Sequence, residues 1–170
     1  MTVIAAPEKT EAGACPACLS DNLVWLLKQA HYALARELAA ALEPLQITPR
    51  GHAVLAAAMT GALTQKELGE MVGLDKTTMV VTLDELEEAG LARRVPSPQD
   101  RRARVVEVTK AGARKVEEAS KVAKVVQSDV LKSLGSASGA ALLDGLCDLV
   151  RNRLAEPVEC KSIRRREPRP

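Results

Sequence analysis

Large aromatic side chains are almost missing from this sequence, which has one Trp, one Tyr and no Phe in 170 residues. Proteins that stack single-stranded bases or RNA loops need several such rings, which weighs against that class of partner. The core must come from Ala, Leu and Val, a composition that favours helix over sheet. Long apolar runs are missing too. The longest, Ala53 to Met59, falls far short of the ~18 residues a membrane span needs, and the amino-terminal stretch lacks the basic-then-apolar order of a secretory signal. Histidine occurs only at His31 and His52. No Ser or Cys has a base at recognisable spacing, no glycine-rich phosphate loop is present, and no His pair has metal-ligand spacing. The expectation is a cytoplasmic, mostly helical protein of one domain that is not an enzyme, uses no cofactor and has no membrane partner.

Net charge is only +2, with 24 Lys and Arg against 22 Asp and Glu, but the charges are segregated. Residues 64–90 hold Lys66 and Lys76 against seven carboxylates, whereas residues 91–115 hold eight basic residues against Asp100 and Glu107. The last ten residues add five more basic side chains against Glu167. Such asymmetry points to a polyanionic partner, nucleic acid first. The plainer alternative is a solvated charged face.

Periodicity divides the chain. Residues 1–20 mix Pro, Gly, Ala and Thr without a period and read as a flexible arm. A helix follows, with Asp21 as N-cap and Leu23, Leu27, Ala30, Leu34, Leu38 and Ala41 at helical spacing; Pro44 stops or bends it. Thr48-Pro49 opens a second helix that ends near Gly61. Thr64-Gln65-Lys66-Glu67 is a capping box starting a short helix to Val72. Gly73 turns the chain, and Asp75 caps a helix through Ala89. The period then switches: Leu91–Val95 and Arg104–Val108 read as strands around a Pro-rich turn. Thr109 caps a long helix, Gly135 breaks it, and a last helix carries Leu142, Leu146, Leu149 and Leu154. The basic tail from residue 156 to 170 is expected to be disordered.

Residues 65–83 meet the demands of a helix-turn-helix. Gly69 supplies a small residue where the second helix crosses the first, and Gly73 tolerates the positive φ of the turn. Leu68, Val72, Leu74, Met79 and Leu83 supply the apolar contacts. The basic hairpin follows directly, which is the winged arrangement. The second helix can enter the major groove while the wing reaches the minor groove, whose negative potential attracts Arg. The fold class expected is mainly α with a small β-hairpin: a winged helix-turn-helix lobe over about 48–110, plus a helical dimerisation lobe from about 21–45 and 110–155.

The run Leu68–Leu74, then Asp75-Lys76-Thr77-Thr78, Asp84-Glu85-Leu86-Glu87, Gly90-Leu91, Asp100-Arg101-Arg102-Ala103-Arg104 and Val108-Thr109-Lys110-Ala111-Gly112 resembles the MarR family of bacterial transcription regulators over about residues 21–155. The resemblance implies a homodimer with intertwined first and last helices. It also implies a repressor of a palindromic double-stranded operator, released when a small aromatic ligand or an oxidant acts. Gln65, Lys76, Thr77, Thr78, Val81, Arg101, Arg102 and Arg104 are the candidate DNA contacts. Base reading falls to Thr77, Thr78 and Val81, and phosphate contact to Lys76 and the wing. The chain departs from the family at Val80 and Val81, where members often carry Thr then Arg; outward valines can meet thymine methyls. Asp84 and Glu85 on the same helix oppose DNA binding unless an Arg nearby pairs with them.

Family pockets lie where the dimerisation helices meet the winged lobe. There the first helix offers Trp25, Lys28, His31 and Tyr32, and the second offers Arg50 and His52. A cation beside an aromatic wall suits a planar aromatic carboxylate; the simpler reading is that Trp25 and Tyr32 fill the dimer interface. Cys15 and Cys18 are spaced for a reversible disulfide or half a zinc site, with Cys147 and Cys160 as further ligands. Unremarkable thiols are the alternative. Peroxide-sensing members often carry the reactive Cys in the first helix, where this chain has Leu23-Val24-Trp25. A reading from a different class is a helical dimerising adaptor that does not bind DNA.

Overall fold

The computed structural model describes residues 17–97 and 103–156. Cys15, Arg101, Arg102 and Cys160, most of the expected arm and nearly all of the expected tail lie outside them. The helices are α1 (Leu23–Leu42), α2 (Pro49–Ala58), α3 (Gln65–Val72), α4 (Lys76–Glu88), α5 (Lys110–Ser133) and α6 (Ser136–Arg151), and the strands are β1 (Ala92–Pro96) and β2 (Arg104–Val108). Short 3₁₀ turns occupy Ala17–Leu19 and Glu43–Leu45. The chain divides into two compact units, Met1–Val126 and Gln127–Pro170, with the boundary inside α5.

Helix starts follow local side-chain chemistry. The N-cap of α1 is Asn22, not Asp21: the Asn22 side-chain oxygen accepts from the Trp25 amide at 2.9 Å. Helix α1 ends at Leu42, and Pro44 sits in the 3₁₀ turn that follows. Thr48 caps α2 through the Gly51 amide. That helix stops at Ala58, three residues short of Gly61, with Met59 at its C-cap. The capping box of α3 is present in both directions, Thr64 taking the Glu67 amide and Glu67 taking the Thr64 amide at 2.7 Å. Gly73 closes α3 at φ 68°, a conformation that costs other residues a Cβ clash.

In the first unit the core is aliphatic throughout. Leu42, Val54, Leu55, Leu68, Met79, Leu83, Leu86, Val106, Val116 and Ala119 form one buried cluster contributed by α1 to α5 and the hairpin. A Cβ on Gly69 would lie 3.2 Å from the Leu74 carbonyl oxygen, so this glycine is what lets α4 approach α3. The hairpin is antiparallel with Ala92 opposite Val108 and Pro96 opposite Arg104, one residue later than expected for β1. Leu63 and Thr64 extend it: the Val106 amide donates to the Leu63 carbonyl at 3.3 Å, and Thr64 bridges Val105. This ties the start of α3 to the second strand of the wing. In the second unit Gly139 of α6 backs onto the Leu131 carbonyl, only 2.6 Å from where a Cβ would stand. Helix α6 ends at Arg151, so Leu154 lies beyond it in a turn held by its amide bond to the Leu149 carbonyl.

Candidate nucleic-acid interface

Helix α4 has two faces. Met79, Thr82, Leu83 and Leu86 are buried, Thr82 through a hydrogen bond from its hydroxyl to the Thr78 carbonyl at 2.7 Å. Lys76, Thr77, Val81, Asp84, Glu85 and Glu88 are exposed, Val81 at 47%. Val80, expected to point outward, is only half-buried, so Val81 alone of the two valines is free for a groove. Thr78 is half-buried and its hydroxyl donates to the Asp75 carboxylate at 2.5 Å. It is engaged in the helix cap, which leaves Lys76, Thr77 and Val81 as the outward candidates on α4.

Asp75 accepts the amides of Thr77 and Thr78 as well, and the Thr78 hydroxyl and amide bonds hold its carboxyl below the usual carboxylate range. The Thr64 amide and hydroxyl do the same for Glu67. Both carboxylates sit at helix amino termini, where the macrodipole also favours negative charge.

Gln65, Lys76 and Arg104 are brought together. They line one groove of about 680 Å³ between the starts of α3 and α4 and the loop end of β2, with Gly69, Leu74 and Met79 also lining it.

Sequence reasoning passed over Arg94. It stands on β1 with its guanidinium three-quarters shielded, side-chain exposure being 25%. Its Nε donates to Glu87 Oε2 at 2.8 Å, its Nη2 bonds both Asp84 and Glu87, and its own amide donates to the other oxygen of Glu87. Glu87 is held below the ordinary glutamate range, first by the Arg94 side chain. The neighbouring Arg93 pairs with Glu107 across the hairpin, with 2.8 Å from its Nε. The signal for Arg94 was the one needed for Asp84: an acidic recognition helix requires a cation close by.

The candidate ligand residues are less concentrated. Lys28, His31, Tyr32 and Arg50 are exposed and Trp25 is half-buried. Tyr32 meets Arg36, whose Nη1 donates to the phenol oxygen at 3.0 Å and whose guanidinium lies 5.6 Å from the ring centre. His52 faces α5, with Nε2 3.0 Å from Ser120 Oγ, and burial lowers its pKa. Cys18 is an exposed free thiol and Cys147 a half-buried one. Among the described residues no cluster of three His, Cys, Asp or Glu could hold a metal ion, and no helix is long and apolar enough to cross a membrane.

The sequence pattern of the MarR family matches residues 45–103, the segment from before α2 into the wing. The transcriptional repressor CouR bound to a 23-mer DNA duplex is 30% identical over 79% of this chain and 96% of that one, with a TM-score of 0.71. A MarR-family transcriptional regulator from Rhodococcus sp. RHA1 is 25% identical, covering 85% of this chain and all of its own, with a TM-score of 0.72. CouR from Rhodococcus jostii RHA1 bound to p-coumaroyl-CoA is 26% identical over 86% and 100% of the two chains, with a TM-score of 0.68. With its helix-turn-helix, wing and flanking helices matched along nearly the full length of such proteins, the chain belongs to the MarR family of winged helix-turn-helix transcription regulators.

Proposed function

We propose that the protein is a homodimeric repressor that reads a palindromic operator with α4 and the wing and is released by a small aromatic ligand. The observation that carries this is the exposed strip Lys76, Thr77 and Val81 on a helix whose opposite face is locked into the core. Beside it in the sequence, the wing carries Arg101, Arg102 and Arg104 within four residues. The helix would enter the major groove, with Thr77 and Val81 on base edges and Lys76, Gln65 and Arg104 on backbone phosphates. Arg101 and Arg102 would supply further affinity at the minor groove.

Dimerisation is argued from uncovered apolar side chains. Leu23, Val24 and Tyr32 of α1 are 57%, 78% and 59% exposed, and in the second unit Leu134, Val150 and Leu154 are 48%, 65% and 52% exposed. A twofold partner would cover such surfaces with their own copies. Two lobes related this way read half-sites about one helical turn apart.

For release, the relative CouR is known bound to p-coumaroyl-CoA, an aromatic thioester. Trp25, Lys28, His31, Tyr32, Arg50 and His52 form the set proposed for an aromatic acid or its thioester, with Arg36 added because it already rests on Tyr32. To switch the protein, the ligand must favour the DNA-incompetent state by ~2–3 kcal/mol.

The decisive experiment is fluorescence anisotropy with duplexes from upstream of the protein's own gene. Sequence-specific, salt-dependent binding by a dimer is expected; a helical adaptor gives no salt-dependent duplex binding. Titrating aromatic acids and aromatic acyl-CoA thioesters should then release the duplex and change Trp25 fluorescence. If oxidant or chelator releases it and the aromatics do not, control belongs to Cys15 and Cys18.

A further inference from the structure

Between Asp75 and Glu88 the proposed recognition helix and its cap carry five carboxylates and one cation, Lys76. A helix with that balance should be repelled by a duplex. The Asp75 charge is taken up by the amide ends of its own helix. Asp84 and Glu87 lie further along, and both converge on one guanidinium, Arg94.

Three features make this more than a surface ion pair. The Arg94 side chain is mostly shielded, it bonds two carboxylates through separate hydrogens, and its backbone amide completes a two-point grip on Glu87. The grip also spans two elements, since Glu87 belongs to α4 and Arg94 to the first strand of the wing. Charge-assisted bonds of this forked kind are stronger and more directional than exposed pairs. Asp84 remains 57% exposed on the outward side of α4, so without its partner its charge would stand in the groove.

We propose that Arg94 is a positioning residue for DNA binding: it masks Asp84 and Glu87 from the phosphates and fastens the wing to the recognition helix in the same contact. The inference rests on the DNA-binding reading above. It predicts a coupling between Arg94 and Asp84 that neither a plain phosphate contact nor a folding role would produce.

The test is a double-mutant cycle with the full chain: wild type, Arg94→Gln, Asp84→Asn and both together, titrated on operator and random duplexes at about 50 and about 200 mM salt. Folding is checked by circular dichroism. One unmasked charge opposite several phosphates roughly 10 Å away weakens binding about tenfold at low salt. Arg94→Gln should therefore lose about tenfold on both duplexes at the lower salt, and less at the higher. Asp84→Asn should restore most of that loss in the Arg94→Gln background, and change the wild type by about twofold or less. Arg94→Lys, which keeps the charge, should stay nearer wild type than Arg94→Gln. Equal gains from Asp84→Asn in both backgrounds, or no gain after Arg94→Gln, overturn the proposal. Should Arg94→Gln fail to fold, the same cycle with Arg94→Lys decides: a larger gain from Asp84→Asn in the Arg94→Lys background than in wild type is expected, and equal gains overturn the proposal. A wild-type chain that binds no duplex would instead overturn the DNA-binding reading itself.

Discussion

Gly112 lies in the first turn of α5, where an alanine would ordinarily help. Helix propensity alone favours Gly→Ala by about 1 kcal/mol. The packing reverses the sign. A Cβ built on Gly112 falls 2.0 Å from the Leu91 carbonyl oxygen and 2.8 Å from Val108 Cγ1. The carbonyl cannot swing away, because the Thr109 amide donates to it at 3.0 Å and the Thr109 hydroxyl bonds both Gly90 and Leu91 oxygens. Thr109 in turn caps the Gly112 amide, so the start of α5 and the root of the wing are one rigid corner. Relief requires backbone to part from backbone by more than about 1 Å, and overpacking of that kind costs about 3 kcal/mol. Net of propensity, Gly112→Ala should destabilise by about 2 kcal/mol, lowering Tm by roughly 4–8 °C for a chain of this size. Gly61, with nothing within 4 Å of its would-be Cβ and no positive φ, is the control: Gly61→Ala should raise stability by up to about 1 kcal/mol through the unfolded chain. Thermal melts at one fixed protein concentration make the comparison, since any dimer couples Tm to concentration. A Gly112→Ala protein melting at or above wild type refutes the packing argument.

Replacing Arg101 and Arg102 together by Ala should weaken binding to every duplex and reduce the salt slope by ~0.9 for each phosphate no longer neutralised; an unchanged slope removes the wing from the interface. Thr77→Ala and Val81→Ala should each alter the ranking of operator variants more than nonspecific affinity, read by competition against single-base substitutions, with a loss of about 1–3 kcal/mol at the base pair each side chain reads. On acidification, the depressed carboxyls of Glu67, Asp75 and Glu87 contribute stability that is whole above their unfolded values and lost as pH falls through their lower folded ones. Urea titrations should therefore show stability declining below about pH 4.5, and Asp75→Asn should flatten that decline. His52, whose pKa burial depresses, adds a smaller loss beginning nearer pH 6.5.

What the sequence revealed was local. Thr48, Thr64, Asp75 and Thr109 cap as expected because a cap needs only a short polar side chain and an amide within three residues. Gly73 and the strand pair were readable for the same reason. The errors mark where a local signal has a near neighbour or a distant competitor. Asn22 outcompetes the adjacent Asp21, and β1 starts one residue late because its register is set by β2 across the hairpin. Val80 is half-buried, and Thr78 has its hydroxyl engaged by the Asp75 cap of its own helix, so a helical wheel alone overstates the outward face of α4. The His52–Ser120 contact joins residues 68 positions apart, and no periodicity announces such a pair. The candidate ligand residues are less legible still, because α1 and α2 leave most of them on the surface of a single chain.

The charge pattern shows why segment totals mislead. Of the seven carboxylates between residues 64 and 90, Glu67 and Asp75 close helix ends, Glu70 pairs with Lys66, and Asp84 and Glu87 close on Arg94. The acidic block is thus largely consumed inside the lobe, two of its charges by an arginine that belongs to the basic block in the sequence. The wing behaves the same way: Arg93 answers Glu107 and Arg94 answers α4, so part of the positive charge of each is already offset within the lobe. The two halves of the apparent dipole therefore bind each other first. The cations left to meet a polyanion are those at the edges of this network, with Lys76 at the start of the recognition helix foremost among the described ones. On the proposed reading, an interface so arranged draws its affinity from few charges and its geometry from many, and its sequence preference is expected from Thr77 and Val81 rather than from the number of arginines in the wing.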